Sequence, residues 1–241
     1  MKIKLQIVLG VSFLICSSLA SAKFSGKAAF TTNYIWRGVS QTQNMPAVQG
    51  ELAYDILDSG FYVSVFGSNV NFGEEPDPET LEMPEIARSE FDYAAGYSHE
   101  FNDDWSMDIG FMTYTYPDAS LNNYGEGYGS VTYKILTADF SYTGNNFNTG
   151  TNGYYAGLGI KYELFKDTKY VLLKDLYAGG HIGYFVQDKD VDGGSYADYM
   201  LSLTKTIQGV NFALSVTDTS GRGSKDKYSS SKVFFTVSKE F

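Results

Sequence analysis

The residues in this chain that could do chemistry are few. It holds two histidines, His99 and His181, and a hydrolase built on either needs a nucleophile and an orienting group within reach. Side-chain alternation puts His99 on the apolar parity of its segment, with Tyr97 and next to a polar turn, so an interface role fits it better than catalysis. His181 falls on the polar parity of its segment, where a solitary imidazole is more often hydrated than it is a base. The run "DKDVDGGSYADY" (188–199) opens like a calcium loop, with Asp188, Asp190, Asp192 and Gly193 in its first, third, fifth and sixth places. The twelfth place, which should carry a bidentate glutamate, is Tyr199; an acidic turn is the simpler reading and a divalent-cation site the weaker one. "GEEPDPETLEMPE" (73–85) is acidic and broken by prolines. It reads as a solvated loop or as a vestibule that attracts cations. A barrel hydrolase is the least favoured reading, and the expectation is a protein that is not an enzyme and needs no cofactor.

What remains is charge arranged on one face. The formal net charge is −10, which excludes the basic footprint of a nucleic-acid binder. On the polar parity of successive alternating segments lie Glu51, Asp55, Glu90, Asp92, Asp108, Asp139 and Asp198, with Glu100 and Glu163. Basic residues on that parity are fewer: Lys27, Arg37, Lys134 and Lys161, with His181 beside them. If this parity faces the inside of a barrel, these side chains line a pore with an acidic excess, and a lumen of one sign selects ions.

The elements that must position them are strands. Tyr (20), Phe (17) and Gly (25) are abundant and Pro (5) is scarce, a composition that favours β structure. Period-two alternation predicts twelve strands, at 24–36, 47–56, 60–71, 89–101, 104–116, 126–135, 137–144, 153–164, 175–187, 196–206, 209–217 and 232–241. In the second, Val48, Leu52, Tyr54 and Ile56 oppose Gln49, Glu51 and Asp55; in the eleventh, Val210, Phe212, Leu214 and Val216 oppose Asn211, Ser215 and Thr217. Alternation alone fits a soluble sandwich as well as a membrane barrel with its apolar face outward. The connections separate the two. Tight turns at 57–60, 102–104, near Thr137 and at 208–209 alternate with longer polar loops at 37–46, 72–88, 117–125, 145–152, 188–195 and 218–231. That is the pattern of a barrel with short turns on one side and long loops on the other. The segment 165–174 is long where a short turn belongs, which leaves the strand count open there.

Both chain ends agree with export. Lys2 and Lys4 precede an apolar run too short to span a membrane comfortably, and Ala20-Ser21-Ala22 is a signal-cleavage site. A signal peptide over 1–22, cut after Ala22, takes with it Cys16, the only cysteine, and leaves 23–241 as one domain. At the other end, Val233, Phe235, Val237 and Phe241 share one parity of "KVFFTVSKEF". A final phenylalanine on such a strand resembles the C-terminal signature of bacterial outer-membrane barrels, with Lys239 standing where that signature is usually apolar. The resemblance implies that Phe241 is an assembly determinant, read by the barrel assembly machinery. Both termini are expected on the periplasmic side of a Gram-negative outer membrane, with lipid and lipopolysaccharide around the wall. Trp36, Trp105, Tyr34, Tyr116 and Tyr199 lie near strand ends, where an aromatic girdle belongs. In "NYIWRGVSQTQNMPAVQG" (33–50), Trp36 shares parity with Phe30 and Tyr34 and is expected to face lipid. Arg37 then points inward at the upper rim, close enough to Glu51 to pair with it.

The same run, followed by "GFYVSVFGSNVNFG" and "EFDYAAGY", resembles the TorF family of porins. The resemblance is specific over about the first third of the exported chain; beyond Tyr97 it rests on alternation and the final phenylalanine. It implies an all-β fold, a single antiparallel transmembrane β-barrel of about twelve strands, and carries over no catalytic residue. Taken together, the expectation is an outer-membrane porin forming a passive channel for small polar or cationic solutes. The alternative is a non-conducting structural or adhesive barrel that works through its outer loops.

Overall fold

The computed structural model describes residues 23–72, 86–187, 194–220 and 227–241. Ala22 and Cys16, the acidic stretch 73–85, and Asp188, Asp190 and Asp192 lie outside the described residues. In chain order the strands are β1 (Lys23–Thr31), β2 (Ile35–Trp36), β3 (Val39–Ser40), β4 (Ala47–Asp55), β5 (Phe61–Asn69), β6 (Ser89–Glu100) and β7 (Trp105–Thr115). Then follow β8 (Tyr124–Tyr133), β9 (Leu136–Thr143), β10 (Gly153–Glu163), β11 (Leu176–Gln187), β12 (Tyr196–Ile207), β13 (Val210–Ser220) and β14 (Lys232–Glu240). All but β2 and β3 form one closed antiparallel barrel of twelve strands, in which each strand pairs with its neighbours in sequence and β14 closes against β1. Closure leaves no sheet edge to be paired by another chain. The segment 165–174 is a loop of turns between β10 and β11, with a 3-10 turn at Val171–Leu173, so it adds no strand. The barrel's outward Lys205 holds it, through Nζ, on the carbonyls of Val171 and Lys174.

The two parities separate cleanly. Outward lie Val48 (68% exposed), Leu158 (61%), Leu201 (65%) and Val233 (69%), with Phe111, Phe140, Ile182 and Leu214 among them. An apolar band this continuous is an unstable surface in water and the expected one in lipid. Rings cluster towards the two ends of the outer wall. Phe24 and Tyr54 (4.9 Å), Phe61 and Tyr97 (5.0 Å) and Trp105 and Tyr133 (4.5 Å) pair at the end that carries the termini. Tyr142 and Tyr154 (5.0 Å) pair at the long-loop end. His99 belongs to the outer wall too, with its ring 4.8 Å from that of Phe101. Inward lie the polar residues and, at the long-loop end, a cluster of buried rings.

The last residue completes the closure. Phe241 exchanges two backbone hydrogen bonds with Gly26, at 2.9 and 3.0 Å. Its ring lies over that glycine, where a Cβ would stand 2.6 Å from the ring. Deleting Phe241 is therefore expected to lower the amount of folded barrel in the outer membrane while leaving export intact. Heat-modifiable mobility on gels of membrane fractions checks this, and an unchanged folded band would count against it.

Candidate functional site

The first long connection does not stay outside. Thr32 still exchanges hydrogen bonds with Phe235 of β14. Beyond it the chain leaves the wall, and the connection 32–46 carries the small β2–β3 hairpin into the barrel, with Trp36 facing Val39. Its tip is Arg37-Gly38, both at positive φ (46° and 77°). That is the two-residue turn whose twist matches its flanking strands. Polar side chains fix the stem: Asn33 Oδ1 accepts from Ser40 Oγ at 2.6 Å and from Thr42 Oγ1 at 3.3 Å, and Thr42 Oγ1 donates to the Met45 carbonyl at 2.6 Å. Neighbouring connections hold it as well, with Asn71 N–H donating to the Gln41 carbonyl and Ser40 N–H to that of Tyr228. This corrects the expectation that the first strand runs to 36 with Trp36 in lipid. Trp36 is 8% exposed and packs edge-on against Tyr114 and Phe147. Tyr34 and Tyr116, expected in the girdle, are buried in the same cluster. The physical reason is that Asn33, Ser40 and Thr42 satisfy one another's polar groups, so the chain can turn inward before the alternation ends.

The tip of the hairpin reaches across the lumen. Arg37 makes a bidentate contact with Glu126 of β8, at 3.0 Å (Nη1 to Oε2) and 2.7 Å (Nη2 to Oε1), and donates to Ser141 Oγ of β9 at 2.6 Å. Its guanidinium carbon lies 4.2 Å from the ring centre of Trp36 and 4.3 Å from that of Tyr155. Fork-on-carboxylate geometry with aromatic stacking is what a guanidinium does and an ammonium does not. The expected Arg37–Glu51 pair is thus replaced by Arg37–Glu126. Gly38 presses on the opposite wall: a Cβ there would stand 2.6 Å from Thr219 and 2.8 Å from Asp198. The hairpin therefore touches β8 and β9 on one side and β12 and β13 on the other.

Around the hairpin the long-loop end holds an acidic chamber with aromatic walls. Glu90 and Asp92 of β6 are 3% and 1% exposed. Tyr116 Oη donates to Glu90 Oε1 at 2.9 Å and Tyr114 Oη to Glu126 Oε1 at 3.3 Å. Burial first, then Glu90 and Asp92, hold the Tyr34 phenol well above its usual range. For Tyr116 burial leads and Glu90 follows. Both phenols are therefore neutral donors facing carboxylates.

Further round the lumen, His181 of β11 sits between Asp139 of β9 (3.6 Å) and Asp198 of β12 (3.4 Å). Tyr155 Oη donates to Asp198 Oδ2 at 3.1 Å. Gly157 and Gly183 make room for this set, since a Cβ on Gly157 would meet His181 at 2.6 Å and one on Gly183 would meet Tyr155 at 2.0 Å. With a carboxylate on each side, this histidine is built into a buried cluster with Asp139, Asp198 and Tyr155.

Nearer the terminal end, Tyr62 Oη donates to Asp108 at 2.9 Å and lies 2.6 Å from Tyr128 Oη. Lys27 is placed opposite Glu51 on β4 and Glu240 on β14. Asp55 ends β4 on the same parity as Glu51, and Lys161 occupies the inward parity of β10. Lys134 is a correction. It lies in the β8–β9 turn at φ 55°, 53% exposed and 3.5 Å from Asp104, outside the lumen. The tight turn removes it from the ladder before its parity can act.

Two site residues escaped the sequence reading. Glu126 was on the page: in "YGEGYGSVTY" it shares parity with Tyr124, Tyr128 and Ser130. Tyr155 carried no signal, because its phenol acts through Arg37 and Asp198, which only folding brings near.

A family model described as "Bacterial protein of unknown function (Gcw_chp)" matches residues 17–241. The chain belongs to the Gcw_chp family. A search of curated proteins returned no match. Among solved structures, the KdgM porin aligns at a TM-score of 0.52 with 13% identity, over 90% of this chain and 98% of that one. The NanC porin aligns at 0.52 with 10% identity, also over 90% and 98%. At such identities the likeness is one of fold: this Gcw_chp chain is a closed twelve-stranded antiparallel barrel, the architecture those two porins share.

Proposed function

We propose that this porin-like barrel is a channel for small polar solutes that prefers cations, and that the 32–46 hairpin sets its constriction. The observation that carries the reading is the hairpin itself, whose tip bridges opposite walls of a lumen lined by Glu90, Asp92, Glu126, Asp139 and Asp198. A passage narrowed in this way is governed by the charges nearest the narrowing, because low-dielectric walls screen them little. The N-terminal resemblance to TorF porins supports the same reading. One solved relative in fold is a KdgM porin in complex with disordered oligogalacturonate. A polyanion of that class does not suit the carboxylates gathered here, so the shared fold does not bring that ligand with it. Reversal potential across a salt gradient in a planar bilayer tests the proposal. Cation preference is expected, weakening as salt rises and the screening length shortens; a conducting barrel that favours anions would sink the charge argument.

A second reading has its own support. Tyr34, Trp36, Tyr114, Tyr116, Tyr124 and Phe147 pack one side of the long-loop end into a core, as in a barrel that conducts nothing and works through its loops. Folded protein that inserts and never conducts, even after Arg37 is removed, would favour it.

A further inference from the structure

Arg37 pairs with Glu126, while the two carboxylates of β6, Glu90 and Asp92, keep oxygens without a hydrogen-bond partner among the described residues. Asp92 is 1% exposed, and neither of its carboxylate oxygens has a hydrogen-bond partner among the described residues. Glu90 Oε1 accepts from Tyr116 and the Tyr34 phenol faces the same carboxylate, while Oε2 has no hydrogen-bond partner among the described residues. A lone buried carboxylate is costly, and a structure that keeps one has a use for it or a missing partner. The two residues stand two apart on the inner face of β6. Asp92 faces Phe66 across β5 and Tyr114 across β7. The Tyr34 ring lies 6.0 Å from Phe66, and Trp36 lies 6.1 Å from Tyr114. Two carboxylates floored by rings make a site for a positive charge on an organic group, since carboxylate oxygens accept its N–H bonds and rings attract the cation. They make a poor metal site. No group of three or more His, Cys, Asp or Glu side chains able to hold a metal ion occurs among the described residues, and divalent cations of the calcium kind want six or more oxygens.

We propose that Asp92 and Glu90 form a binding subsite for a primary ammonium group, so that the solutes recognised by the barrel are small organic amines. This deepens the channel reading by giving its cationic solute a chemical class. The hairpin closes the subsite from the outer end, so filling it requires the hairpin to move, and association is expected to be slow.

The test is equilibrium titration of the folded full-length barrel in detergent with n-butylammonium, followed by calorimetry. It needs no conduction, so a barrel that never conducts but binds the amine overturns the channel reading and keeps this one. Saturable binding is expected, with potassium competing only weakly. Asp92→Asn should weaken it about tenfold or more, the loss of one charge-assisted contact. Asp104→Asn, at a carboxylate that lies beside Lys134 outside the lumen, should leave it unchanged. If Asp92→Asn does not fold, Glu90→Gln gives the same reading, and competition by potassium on the unaltered protein needs no variant. No binding by the unaltered protein overturns the proposal. So does equal binding by Asp92→Asn, or potassium binding as tightly as the amine.

Discussion

Replacing Arg37 with alanine is expected to raise single-channel conductance severalfold and to shift selectivity further towards cations. The guanidinium and Glu126 are 10% and 4% exposed, and removing one partner of a buried ion pair costs about 3–5 kcal/mol because the other charge is stranded. That is more than the tip of one hairpin can absorb, so residues 35–40 should leave the wall and widen the passage. The loss of a positive charge then acts on selectivity in the same narrow region. Glu126→Gln separates the two effects: it also frees the tip, and should raise conductance, but it removes a negative charge and should lower cation preference. Arg37→Lys should fall between alanine and the natural residue, since lysine keeps the charge and loses both the fork and the stacking on Trp36 and Tyr155. Planar-bilayer recordings of the three variants decide the matter. Unchanged conductance in Arg37→Ala would mean that the hairpin is held by its stem and its aromatic packing alone.

The second large effect concerns the wall. Leu214 stands midway along β13, 53% exposed, between Leu203 on β12 and Phe235 on β14, both of which also face outward. Leu214→Arg places a charge against lipid and is expected to cost about 2–4 kcal/mol of barrel stability near mid-membrane. The comparison is Ser202→Arg on the inner face of β12. Ser202 is flanked by Gly179 and Ser215, so a long side chain has room and a polar lumen in which to lie, and the cost should be much smaller. Equilibrium unfolding of both variants in lipid, with urea as denaturant, reads the difference. Equal costs, or the reverse order, would mean that the outward face is not bathed by lipid.

The barrel was legible in the sequence because its pattern is local. Alternation along "VQGELAYDI" or "VNFALSVTD" is written in consecutive residues, and a strand's period of two turns it directly into two faces. Strands β4 to β14 appear where alternation puts them, and the even count follows from the turns between them. Phe241 shares the outward parity for the same reason. Lys134 failed because a turn of positive φ interrupts the period, and nothing in its neighbours' hydropathy reports a backbone angle.

The lumen was legible only in part. The sequence by itself determined which carboxylates share a parity, and so which stand inside once a barrel closes. It did not determine which of them meet a cation. Arg37 and Glu126 are far apart in the chain, and Gly38, Asp198 and Thr219 come from three different elements. Such contacts are set by how far the hairpin reaches across the closed barrel. The alternation of "NYIW" extrapolates smoothly from β1, so a reading based on period carries Trp36 out to the lipid. The tertiary structure decides otherwise, because Asn33, Ser40 and Thr42 can satisfy one another away from water and the rings of Tyr114 and Phe147 offer Trp36 a buried place. Local hydropathy states what a residue prefers to touch; only the closed barrel decides whether lipid or its own interior supplies it.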